Sequence, residues 1–207
     1  MIRPSLEDLW RLAALRIDRE EYWLGEILRA DPSLAADWLV AHVTRDERIS
    51  IELPRPVEAA ISAIDVAGRK RVLMAIPQDF PDTELVGRLV GDDLALYQLL
   101  LSREVSDRVY LAPLKGQPTG RWTAKARLAL EAGYSPEQIA SAVVGWHQSW
   151  SGKLSNLYRQ QLAWFEPLCD HDEPRIRQIG EAGCRRAEAS LANELDRERR
   201  EEVFGRQ

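Results

Sequence analysis

Cysteine, histidine and lysine are scarce in this sequence of 207 residues. It contains two cysteines, three histidines and only four lysines beside 24 arginines. Two cysteines cannot build a disulfide-rich scaffold, and we expect Cys169 and Cys184 to be reduced thiols. No paired Cys-x-x-Cys, no His-Glu-x-x-His and no glycine-rich phosphate loop is present in the sequence. The sequence therefore predicts no catalytic residue, no metal site and no cofactor.

Long apolar runs and an excess of positive charge are also missing. No apolar stretch approaches the roughly 18 to 20 residues that a membrane span needs, and the first residues lack the apolar core of a secretory signal. The formal net charge is -5, which argues against a surface made throughout for nucleic acid or anionic membrane. Hydrophobic residues make up 45% and charged residues 29% of the chain, as in folded globular domains. We therefore expect a cytoplasmic protein that does not bind a membrane.

Apolar residues recur every three or four positions along most of the chain, which predicts amphipathic helices. One such stripe runs through residues 6–17 and another through residues 154–168, where it stops at Cys169. Asp31 and Ser135, each followed by a proline, predict helix starts. Residues 46–56 alternate in polarity and contain two prolines, which indicates an extended connector, while Gly68 indicates a break between two short helices. The pattern predicts an all-α protein of antiparallel helix pairs. The loop after residue 110, rich in proline and glycine, divides it into an N-terminal subdomain (1–110) and a C-terminal subdomain (111–207).

The segment Phe-Glu-Pro-Leu-Cys-Asp-His-Asp-Glu-Pro-Arg-Ile-Arg at 165–177 resembles a HEAT-type repeat. One helix ends in leucines, a turn with aspartate and proline follows, and an aliphatic residue with arginine opens the next helix. The resemblance implies an irregular HEAT-like α-solenoid, with Asp170 or Asp172 and Arg177 in architectural roles. The highly charged end of the chain is also similar to C-terminal helical regions of large bacterial multidomain proteins, which implies a part in a larger protein or complex.

Positive charge is concentrated in residues 111–165. This window holds six basic and two acidic residues, a net +4, whereas the rest of the chain carries -9. Four of the seven tryptophans lie in the same window. Cations beside aromatic faces suit an acidic peptide or stacked bases with phosphates. The sequence thus predicts a non-catalytic scaffold that binds a partner macromolecule, first a protein, through Lys115, Arg121, Trp122, His147, Trp150 and Lys153. Tryptophans that anchor a core beside a solvated basic face are the other interpretation.

A nucleic-acid-binding function, through a helix-turn-helix-like segment at 123–165, is the alternative. Residues 132–140 and Gly145, followed by a helix at about 151–159, resemble a helix-turn-helix, and this resemblance implies that Lys153, Asn156 and Arg159 face the major groove. The chain departs from that motif because Gly145 lies five residues after Ala140, where the family usually has four. His42 with Asp46, and the cluster at 169–172 with Cys184, contain metal-ligating residue types, but helix-flank pairing and a repeat turn explain them.

Overall fold

All regular structure in the described part of the chain is helical. The structure is a computed structural model that describes Ser5 and residues 18–44, 55–144 and 152–204. In these ranges eleven α-helices and one short 3-10 turn occur, and no strand. The predicted all-α class is confirmed there, whereas the predicted stripe at 6–17 and most of the predicted connector lie outside the described residues.

The chain forms two compact units that divide between Pro113 and Leu114. Unit 1 contains α1 (Asp18–Ala30), α2 (Pro32–Thr44), α3 (Arg55–Ala63), α4 (Val66–Ala75), α5 (Thr83–Val90), α6 (Leu94–Leu101) and α7 (Asp107–Tyr110). Unit 2 contains α8 (Trp122–Glu131), α9 (Pro136–Val144), α10 (Leu154–Cys169) and α11 (Pro174–Phe204). The 3-10 turn Ala112–Leu114 spans the division.

Aspartates cap four helices of unit 1. The carboxylate of Asp31 accepts the backbone N–H of Leu34 at 2.9 Å, which confirms the predicted start of α2. Because the first N–H groups of a helix have no partner within it, each such carboxylate stabilises its helix by about 1 kcal/mol. The same arrangement occurs before α4, α5 and α6, where the accepting residues are Asp65, Asp82 and Asp93.

Two sequence predictions about helix boundaries are wrong. The break predicted at Gly68 falls earlier, because Asp65 caps α4 by accepting the N–H of Gly68 at 2.8 Å, which places that glycine inside the first turn. The connector predicted to reach Pro56 ends sooner, since α3 begins at Arg55. A proline fits the first turn because its missing N–H would have had no helical partner there.

The helices of unit 1 pack around a core of leucines and aromatic rings. Contacts join α1 to α2 and α3, α2 to α3 and α4, and α4 to α5 and α6. Trp38 and Tyr97 are the largest fully buried side chains of this core. Arg103 adds a polar tie, because its guanidinium donates to the carbonyl of Leu73 and, at 2.8 Å, to that of Ile76. The carbonyls at the end of α4 thus gain a long-range donor.

Tyr97 buries its hydroxyl without a hydrogen-bond partner among the described residues. Because an unpaired buried hydroxyl is a cost of folding, Tyr97→Phe is expected to raise the free energy of unfolding by about 1 kcal/mol. The matched control is Tyr110→Phe. The Tyr110 hydroxyl donates to the carbonyl of Arg103 and accepts the N–H of Val105 at 3.2 Å, so its removal should lower the same quantity by about 1 kcal/mol. Urea unfolding of both variants checks this, and equal effects of the two would contradict it.

Burial also raises the pKa of Tyr97 above its ordinary value. Above pH of about 10 the unfolded chain releases the tyrosine proton while the folded chain retains it, so this residue lowers stability as pH rises from there. The gain from Tyr97→Phe should therefore be larger at alkaline pH than at pH 7, again by urea unfolding.

In unit 2 the long helix α11 contacts every other helix. It packs along α10 and also touches α9 and α8. The side of α11 that faces the other helices carries Gly180 and Gly183, both of which are buried. A Cβ atom at Gly180 would lie 2.6 Å from the backbone nitrogen of Cys169, and one at Gly183 would overlap the Phe165 ring. These glycines allow α10 and α11 to approach closely. None of the described helices combines the length and the apolar character needed to cross a bilayer.

Candidate partner-binding surface

Residues 115–121, named here the basic loop, connect the 3-10 turn to α8. Gly116 and Gly120 have φ angles of 80° and 55°, a left-handed backbone that side-chain-bearing residues rarely adopt. The loop begins with Lys115, which is half-buried, and ends with Arg121, which is exposed. It has no acidic residue. The chain thus presents two positive charges on a loop whose turns are fixed by glycine.

Trp122, the residue after this loop, is buried in unit 2 and links the two ends of the loop. Its side chain is 3% exposed, and its indole N–H donates to the carbonyl of Leu114 at 3.0 Å. The bond joins the residue before the basic loop to the residue after it. The ring of Trp122 therefore anchors the loop and is not an exposed contact, which corrects the expectation that it lines the surface. The buried stripe Trp122, Ala126, Ala129 and Leu130 has helical spacing and is the sequence signal for this role.

Of two other basic residues in the window 111–165, one is buried and the other forms an ion pair. Lys125 is 7% exposed, on the same buried face of α8 as Trp122. Arg127 forms an ion pair with Glu173 at the start of α11. The predicted charge excess is thus partly neutralised inside unit 2, and Arg121 is left as the exposed cation of the basic loop for which no ion pair occurs among the described residues.

Lys153, the residue before α10, contacts the charged second half of α11. Its ammonium lies 3.4 Å from a carboxylate oxygen of Glu198 and 3.8 Å from one of Glu202. A hydrogen bond from the Ser155 side chain, and the one from Lys153, lower the pKa of Glu198. This cluster fixes the start of α10 against α11 and surrounds Lys153 with negative charge. Of the six predicted contact residues, Lys115 and Arg121 lie on the basic loop and Trp122 follows it directly as the first residue of α8, while His147 and Trp150 lie outside the described residues.

The segment predicted to resemble a helix-turn-helix, residues 123–165, covers nearly all of α8, the whole of α9 and most of α10. Four residues connect α8 to α9, and Ser135 caps α9 as predicted: its N–H donates to the Gln138 side chain at 2.9 Å, and its hydroxyl accepts the Gln138 N–H at 3.2 Å. Asn156 and Arg159 are exposed on α10 and share a hydrogen bond of 2.9 Å. The acids beside Lys153 are a feature that a phosphate-binding face would avoid.

No protein-family profile, curated protein sequence or solved structure matches this chain. The resemblance of residues 165–177 to a HEAT-type repeat stays a prediction. Within that segment the Arg177 guanidinium donates to the carbonyls of His171 and Asp172 at 3.2 and 3.4 Å, and Arg175 donates to the carbonyl of Leu130 at 2.8 Å. Arg175 thus binds a carbonyl near the end of α8 and Arg177 binds carbonyls of the turn before α11, which are structural roles.

The candidate metal ligands have other partners or lie outside the described residues. His42 stacks on Trp38 with ring centroids 5.2 Å apart, and Asp46 is not among the described residues. His171 accepts the N–H of Glu173 on Nδ1 at 3.1 Å, which organises the turn before α11. In the described ranges no three or more histidine, cysteine or acidic side chains come together as a metal site would require.

Proposed function

We propose that this chain is a non-catalytic helical interaction module that binds an acidic segment of a partner protein through the basic loop. One observation carries the proposal: Arg121 is exposed on a loop that Trp122 anchors to the core through the Leu114 carbonyl. An arginine on a fixed loop loses little backbone entropy on binding, and its guanidinium suits bidentate pairing with carboxylates. No acidic residue occurs between Asp107 and Glu131, so this stretch attracts a partner of negative charge.

A protein partner is favoured over nucleic acid by the charges at α10. Binding DNA through Lys153, Asn156 and Arg159 would bring phosphates toward Glu198 and Glu202, which lie beside Lys153. Like charges at close range oppose such a complex. The nucleic-acid alternative predicts retention on DNA or RNA that falls steeply with salt. Weak retention that is the same at low and high salt would favour the protein partner.

We also propose how the helices of this module are arranged and where in the cell it acts. Stacked antiparallel helix pairs in an irregular HEAT-like arrangement would present the basic loop from a rigid frame. The arginine ties at helix ends, from Arg175 to Leu130 and from Arg177 to the turn before α11, fit such a frame. We place the module in the cytoplasm, within a larger multidomain protein or complex.

Arg121→Glu tests the proposed contact. Reversal of the charge would set a carboxylate against the acidic partner, and we expect the dissociation constant to rise about 10- to 100-fold. The control is Arg108→Glu, which makes the same change of charge at an exposed arginine of α7 and should leave the dissociation constant within about twofold. The partner is first captured from the source cell, then produced separately and titrated against the three chains by calorimetry. If both substitutions weaken binding equally, or if neither weakens it, the basic loop is not part of the interface.

A further inference from the structure

Two thiols meet where α10 turns into α11. Cys169 is the last residue of α10, and Cys184 lies on the inward side of α11. Their sulfur atoms are 3.4 Å apart, and neither forms a disulfide. Both side chains are half-buried rather than enclosed. A small reagent in solution therefore has access to a pair of thiols already in contact.

The close approach of the two helices explains this contact. Gly180 lies one helical turn before Cys184, and its missing side chain leaves room for the backbone of Cys169. The sulfur atoms are held near each other by the packing of α10 on α11. A disulfide bond requires an S–S distance of about 2.05 Å, so the sulfurs must approach by little more than an ångström.

We propose that Cys169 and Cys184 are a dithiol modification site, which is converted to an intramolecular disulfide by exchange with a small disulfide of the glutathione class. The Cys169 thiolate attacks one sulfur of the small disulfide, forms a mixed disulfide and releases one small thiolate, which takes up a proton. The Cys184 thiolate then attacks the Cys169 sulfur, and the mixed bond breaks to release the second small thiol. Two protein thiols are oxidised and one small disulfide is reduced to two thiols, so electrons and protons balance.

The environment of Cys184 assigns the order of attack. Burial raises the pKa of its thiol to about 12, with further contributions from the hydrogen bond to Cys169 and from the charges of Glu188 and Glu166. Because only the thiolate is nucleophilic, Cys184 reacts slowly with a disulfide in solution. Once Cys169 carries the mixed disulfide, the target sulfur lies beside Cys184, and proximity compensates for the small thiolate fraction.

Oxidised glutathione is the probe for the test, applied to the full chain under non-denaturing conditions. After acid quenching and alkylation with iodoacetamide, intact mass spectrometry should find a product that has lost two hydrogen atoms and carries no alkyl group. Trypsin separates the two cysteines, since residues 160–175 and 178–185 are different peptides, so the new bond should appear as a cross-link between them. The midpoint of thermal unfolding should rise by at least about 5 °C, because the bond closes a loop across the turn.

Two single variants distinguish this site from ordinary surface thiols. Cys184→Ser should stop at a stable adduct that carries one glutathione on Cys169. Cys169→Ser should react at least about tenfold more slowly, since burial keeps the remaining Cys184 thiol protonated. The proposal is overturned if the wild-type chain keeps two alkylatable thiols, accumulates glutathione adducts without the cross-link, or forms disulfides only between chains. If either variant fails to fold, the experiment on the wild-type chain alone still decides whether the disulfide forms.

Discussion

Replacing Trp122 by alanine is expected to lower the free energy of unfolding of unit 2 by about 3–5 kcal/mol. The ring is buried at the start of α8, and its indole N–H satisfies the Leu114 carbonyl. Removal leaves a cavity and an unpaired carbonyl, and both terms destabilise the fold. Urea unfolding followed by circular dichroism measures the loss, and hydrogen exchange of α8 amides assigns it to unit 2.

Trp122→Phe is the matched control for this result. Phenylalanine retains most of the buried ring but cannot donate to Leu114, so a loss of about 1–2 kcal/mol is expected. An exposed contact residue would behave differently, because surface substitutions usually change stability by less than about 0.5 kcal/mol. If Trp122→Ala changes the free energy of unfolding by less than about 0.5 kcal/mol, the tryptophan is not buried and does not anchor the loop.

Replacing Gly180 by alanine is expected to destabilise unit 2 by about 2–3 kcal/mol. The new Cβ atom would lie 2.6 Å from the backbone nitrogen of Cys169 and 2.7 Å from the carbonyl carbon of Leu168. Backbone atoms cannot move aside by a change of rotamer, so α10 and α11 must separate. The cost exceeds the roughly 1 kcal/mol that alanine gains over glycine in a helix.

Gly25→Ala separates the packing effect from helix propensity. Gly25 lies inside α1, where a Cβ would be 3.4 Å from the Cβ of Ala59, an ordinary contact. The alanine there should be neutral or stabilise by up to about 1 kcal/mol. Thermal unfolding of the two variants gives the comparison. A Gly180→Ala variant as stable as the parent chain would mean that the two helices do not approach as closely as described.

Local signals predicted the elements that depend on local chemistry. Ser135 followed by proline marks the start of α9 as observed, and the apolar stripe before Cys169 predicts α10 with its observed end. These signals act within one turn of helix, so one sequence suffices to recognise them. Gly68 misled the prediction for the same reason, because Asp65, three residues earlier, provides the stronger signal by capping α4.

The candidate site was only partly predictable, since its residues depend on distant partners. Charge counting identified the positive window but not that Lys153 meets Glu198, 45 positions away on α11. Nor could the sequence alone place the sulfur of Cys169 against that of Cys184, because that contact needs the glycines of α11 to lie against α10. The burial of Trp122 was accessible in principle from the stripe along α8, but its location among basic residues favoured the surface interpretation.

Site-specific photocrosslinking from the basic loop is the decisive test of whether this loop contacts a partner protein. A benzophenone amino acid is placed at the exposed position of Thr119 in the basic loop or, as a control, at that of Gln98 on α6, and the chain is irradiated in its source cell. We expect one dominant protein adduct from Thr119 that disappears with Arg121→Glu, persists with Arg108→Glu and does not form from Gln98. Adducts to nucleic acid, the same adducts from both positions, or a Thr119 adduct unaffected by Arg121→Glu would contradict this expectation.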